Sequence, residues 1–170
     1  MQAIAKAHMQ LLLALKNLAG IIIFISFILI VIDVGLNLFG YSGLEGTMGV
    51  VEYGLLWFTL LAAPWLARIR GHVYIDALTE LFNPNVQQVA ARFAYIVAIA
   101  GSSLSGYFSV ELLWEAYVDE QVDERGVELM QWWLYAPMPV GFFLVAIEFL
   151  RYLLGMDDMY SGRTEVKEGM

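Results

Sequence analysis

Residues 21–40 read IIIFISFILIVIDVGLNLFG, an apolar run crossed by one charge, Asp33. The run extends back to Leu18 and covers 18–40. A bilayer core about 30 Å thick needs roughly 20 apolar residues per helix, so run length separates a spanning helix from a core helix. Three more runs of this kind follow, at 47–67, 89–114 and 130–154. The whole chain agrees, with 60% hydrophobic and 15% charged residues. Soluble domains are about 45–50% apolar and about 25% charged. The sequence therefore predicts an all-α integral membrane protein, a single four-span membrane domain over residues 1–170.

Several chemistries drop out at once. The chain has no cysteine, which removes disulfides, thiolate catalysis, iron–sulfur clusters and cysteine metal sites. Its two histidines, His8 and His72, both lie outside the apolar runs, so a haem held by two histidines within the membrane is not available. No cofactor and no nucleic-acid partner are expected. Lys6 and Lys16 before an apolar run superficially resemble a signal peptide. The run is longer than a typical h-region and lacks a convincing cleavage site, so it reads as a retained span.

Lys and Arg near span ends set orientation, and acidic residues count for little. The segments before span one, between spans two and three, and after span four carry Lys6, Lys16, Arg68, Arg70, Arg92, Arg151, Arg163 and Lys167. The two remaining loops carry only Arg125. Both termini are thus expected in the cytoplasm, with a 1–17 cytoplasmic or interfacial segment and a 155–170 cytoplasmic tail. The opposite side receives a short turn, GYSGLEG, and an acidic loop, EAYVDEQVDERGVE. Trp65, Trp114, Trp132, Trp133 and Tyr135 fall near span ends, where amphipathic rings favour the headgroup zone.

Between spans two and three, residues 65–82 read WLARIRGHVYIDALTELF. Val73, Ala77 and Leu81 recur every four residues, with Leu78 and Phe82 widening the stripe, while Asp76, Thr79 and Glu80 fall on the other side. This pattern predicts a cytoplasmic interfacial amphipathic helix over 71–83. Gly71 permits the bend into it and Pro84 stops simple continuation. Residues 1–17 carry a weaker version of the same pattern. His72 and Asp76 form an i, i+4 pair, but two ligands do not make a metal site. Arg68, Arg70, Gly71, His72 and Asp76 are read together as an interface anchor.

Ionisable groups within the hydrocarbon are costly and are functional candidates by default. Asp33 and Glu52 each lie about six residues from the outer end of their span, roughly 9 Å below the surface. Asn37 is one turn from Asp33 on the same face. Glu111 lies near the outer end of span three, and Glu148 near the inner end of span four, three residues before Arg151. No basic residue of this chain is expected at the depth of Asp33 and Glu52. They are either a proton or cation site, or groups bonded to Asn37, to backbone or to a partner protein. In span three, Ala94, Ala98, Ser102 and Gly106 recur every four residues, a small-residue stripe that allows close helix packing in lipid.

Four stretches together resemble the small membrane subunit of tripartite ATP-independent periplasmic (TRAP) transporters, the DctQ-like family. They are VIDVGLNLFG, EGTMGVVEY, RIRGHVYIDAL and YAPMPVGFFLVAIEFLRYL. The likeness spans roughly residues 18 to 155. At Asn37 the sequence departs from a pattern that often has a basic residue a turn after the span-one Asp. The resemblance implies a non-enzymatic subunit of a secondary transporter in the inner membrane, scaffolding a large multi-span TRAP membrane subunit. That large subunit would carry substrate and coupling ion, typically sodium. A periplasmic solute-binding protein would deliver an organic acid or similar carboxylate-bearing solute. Two other classes stay open on the residues alone. One is a self-sufficient proton-coupled exporter using Asp33 and Glu52, and the other a membrane anchor of a redox complex.

Overall fold

The computed structural model describes residues 2–44, 46–69, 84–123 and 129–155. The helix expected over 71–83 and the tail from residue 156 lie outside them. The architecture is all-α, with four helices long and apolar enough to cross a membrane.

Helix α1 runs unbroken over Gln2–Leu38, 37 residues, or about 55 Å at 1.5 Å per residue. Residues 2–17 are thus helically continuous with the first span rather than a separate interfacial element. Alanine and leucine, the strongest helix formers, supply much of this segment, and it contains no proline. The helix stops at Gly40, which adopts φ 79°. Tyr41 N–H donates to Leu36 O and Gly40 N–H to Asn37 O, the two bonds of a Schellman cap.

A short loop leads to α2 (Thr47–Arg68), which contains Pro64. Proline has no N–H, so the carbonyl of Leu60 loses its intrahelical donor. The last helix approaches at this point: a Cβ on Gly141 would lie 2.6 Å from Leu60 O. Glycine allows the backbone to pack directly against the freed carbonyl, within reach of a weak Cα–H···O contact.

Helix α3 spans Pro84–Val118, with proline at the first helical position, where its missing donor costs nothing. A two-residue antiparallel pair follows, β1 (Val122–Asp123) with β2 (Leu129–Met130), registering Val122 opposite Met130. The last span comes in two pieces, α4 (Gln131–Tyr135) and α5 (Pro137–Leu153), joined at Ala136.

The helices lie in the neighbour order α1–α2–α5–α3. Burial is sparse and small-sided. One cluster joins Ala19 to Leu61 and Ala62, and another joins Ala91 to Tyr95 and Tyr152. Large apolar side chains such as Phe24, Phe27 and Leu104 point outward. Lipid is as apolar as leucine, so helix association in a membrane rests on close packing at small residues. Three contacts have this form. Gly54 meets Ser26 of α1, Gly106 meets the Phe143 ring of α5, and Gly141 meets Leu60.

Candidate functional site

The most concentrated chemistry in the described residues surrounds Glu148 on α5. Its side chain is fully buried, although an ionised carboxylate is among the costliest groups to remove from water. Three helices supply its partners. His8 of α1 contacts Oε1 through Nε2 at 2.5 Å, and Arg151, one turn on along α5, donates to Oε2 at 2.8 Å. Arg68, at the end of α2, reaches Oε2 at 3.3 Å and Oε1 at 3.5 Å. Beside this cluster, the hydroxyl of Tyr152 lies 2.8 Å from Ala67 O and 2.9 Å from Arg68 O. It thereby caps carbonyls that the end of α2 leaves without intrahelical donors. The N-terminal part of α1, the end of α2 and the end of α5 are fastened at one point. A single buried carboxylate thus faces two guanidiniums and an imidazole.

Arg68 is the one member of the expected interface anchor that the structure describes, and it belongs to this knot. Arg70, Gly71, His72 and Asp76 lie outside the described residues. The pairing of Glu148 with Arg151 follows from their i, i+3 spacing. His8 and Arg68 are missed by sequence reasoning because they stand 140 and 80 positions away. Their only signal is that each is a basic or imidazole group on the side of the bundle where Lys and Arg collect.

At the opposite end of the bundle the bonds are of a different kind. Asp33 Oδ1 accepts the backbone N–H of Leu44 at 2.7 Å, and Asn37 Nδ2 donates to the Asp33 carbonyl at 2.9 Å. Gly43 fits against both side chains, where a Cβ would lie 2.6 Å from Asp33 Oδ1 and 2.7 Å from Asn37 Nδ2. Asn37 thus bonds the backbone of Asp33 rather than its carboxylate, which a backbone amide serves. Glu52 lies on an exposed face of α2.

Farther along this end, Tyr53 of α2 donates its hydroxyl to Asp123 Oδ2 at 2.6 Å, holding the β1–β2 pair onto the bundle. Trp57 Nε1–H donates to Trp133 O at 3.0 Å, and the Trp132 and Trp133 rings stack with centroids 4.7 Å apart. Rings of this kind near helix ends suit the headgroup zone of a bilayer.

The expected stripe on span three is partly internal. Gly106 is buried under Phe143, Ala98 and Ser102 are half-buried, and Ala94 is exposed. The buried and half-buried row instead runs Ala91, Tyr95, Ala98, Ser102, Gly106, Ser109, Leu113 and Ala116, alternating irregularly between steps of three and four. A strict four-residue row rotates off a packing seam, whereas a mean step near 3.5 keeps the seam facing its neighbour. Among the described residues, no three metal-ligating side chains converge.

Neither the curated proteins nor the solved structures contain a match to this chain. A family model does match, and its span runs from the buried Ser26 of α1 to just beyond α5. It takes in both ends described above, the Asp33 loop and the Glu148 knot apart from His8. That model, over residues 26–157, is the DctQ component of the tripartite ATP-independent periplasmic transporters, and the chain belongs to this family of small permease subunits.

Proposed function

We propose that this chain is the non-catalytic scaffold of a TRAP-type importer, bracing the stationary part of a large multi-span membrane subunit. In this reading it lies in the inner membrane with both termini in the cytoplasm. The large subunit carries out sodium-coupled uptake, and a periplasmic solute-binding protein delivers an organic acid or similar carboxylate-bearing solute. In the same reading the segment from Arg68 through Asp76, running into the helix that the sequence predicts over 71–83, is the cytoplasmic anchor that fixes depth and tilt while the partner moves.

One observation carries the scaffold reading. Asp33, Asp123 and Glu148 each tie one element of this chain to another: α1 to its following loop, the hairpin to α2, and three helix ends together. Carboxylates engaged in this way brace a bundle. A proton-coupled exporter would need Asp33 to exchange its proton during turnover, against the bond that holds its loop.

The test is transport per assembled complex. Purified in mild detergent, the full chain should bring a multi-span membrane protein with it. Asp33→Asn removes the charge and keeps an acceptor for Leu44 N–H, so it should reduce the amount of complex while each assembled complex transports near the wild-type rate. A complex recovered in full that does not transport would overturn the scaffold in favour of the exporter.

A further inference from the structure

We propose that the groove between α1 and α2 seats one acyl chain of an anionic phospholipid, whose phosphate is held by Lys16. The groove encloses about 850 Å³. Its floor is made of small residues, Ala19, Gly20 and Ala62, and its walls of Phe24, Phe58 and Trp65. Polarity is confined to one end, where Lys16 and Asn17 stand.

Depth places that end at the headgroups. Counting roughly 20 residues back from Leu38 sets the boundary of a 30 Å core near Leu18. Lys16 then sits at the interface, and Phe24 lies about 12 Å from it along the helix, inside the hydrocarbon. A phospholipid offers the same order along the same axis, with a phosphate at the surface and a chain running inward.

Charge selects the headgroup. The Lys16 ammonium lies over the Trp65 ring, 5.0 Å from its centroid, and no described carboxylate pairs with it. The other described charges at this end are Lys6, Arg68, Arg92 and Arg151, against Glu148 alone. Glu148 is buried and already engaged by His8, Arg68 and Arg151. Among the described residues the surplus is positive, and Lys16 stands at the mouth of the groove. A neighbouring helix would fill the apolar length but would have to bring its own anion to the interface to match Lys16. The inference holds whichever side of the membrane this end faces.

The experiment uses the full chain with its co-purified partners in phosphatidylcholine nanodiscs doped with a phosphatidylglycerol bearing a diazirine on one acyl chain. Illumination should crosslink the lipid to α1 and α2 peptides around Phe24 and Ala62. Unlabelled phosphatidylglycerol should compete about fivefold better than phosphatidylcholine, the preference that one interfacial cation supplies. Lys16→Gln should abolish that preference and keep the crosslink. Gly20→Phe should abolish the crosslink, and a Cβ at Gly20 meets nothing within 4 Å. The proposal is overturned by a wild-type groove that takes no crosslink, as when another subunit's helix fills it. Equal competition by the two lipids, a preference that survives Lys16→Gln, or a crosslink that survives Gly20→Phe would each overturn it as well.

Discussion

The two ends of this bundle solve the same problem with different bonds. At the basic end, one buried carboxylate gathers His8, Arg68 and Arg151 from three helices. At the hairpin end, hydrogen bonds run in separate pairs: Asp33 to a backbone amide in its own loop, Tyr53 to Asp123, and Trp57 to the carbonyl of Trp133. The first arrangement is all-or-none, because removing its centre strands every partner. The second is distributed, since each bond holds one element and can fail alone. A bundle built this way depends on one group where the long α1 meets the rest and on several where the hairpin lies.

The largest expected effect tests that asymmetry directly. Glu148→Ala leaves Arg68 and Arg151 without their counter-charge and should destabilise the chain by about 3–5 kcal/mol, the cost of breaking a buried ion pair. Thermal unfolding of the purified chain in detergent measures this. A loss no larger than that of a surface substitution would mean that the knot does not hold the helices.

The seam between the ends should give an intermediate effect. Gly106 has the Phe143 ring 3.0–3.2 Å from where a Cβ would stand. We predict that Gly106→Leu costs about 1–3 kcal/mol, as overpacking does elsewhere. Leucine at Val97, which faces outward, should be tolerated. Equal unfolding temperatures for the two variants would show that α3 and α5 do not pack through this glycine.

The smallest effect belongs to the hairpin end. Tyr53→Phe removes one hydroxyl from Asp123 and should cost about 1 kcal/mol. It should also expose the 121–131 segment to faster amide exchange without altering α1. Should this variant unfold the chain as completely as Glu148→Ala, the contrast between a single knot and distributed bonds is wrong.

The spans were legible because bilayer thickness imposes a length that sequence cannot disguise. The ends of elements were not. Lys6, His8, Gln10 and Lys16 punctuate residues 2–17 with polarity, which suggested a separate segment, yet the backbone continues as one helix. The sequence leaves Asp33 open to Asn37, to backbone or to a partner protein, and cannot single out Leu44 N–H, a donor carried by almost any residue. The stripe on α3 was read on a fixed four-residue step, which matches the seam at Ala98, Ser102 and Gly106 and slips off it at Ala94. Glu148 was visible as a charge next to Arg151. Its other partners come from elements whose relative placement only the fold decides.

The knot also has a schedule. His8 is made among the first residues of the chain and Glu148 follows 140 positions later, an interval of about 7–28 s at ~5–20 residues per second of synthesis. Throughout that time His8, joined 60 positions later by Arg68, exists without the carboxylate that links them. The first three helices can enter the membrane, but their common fastening arrives only with the fourth. A chain interrupted before residue 148 lacks the group that joins these helix ends, so the last span to be made decides whether the earlier ones become a single body.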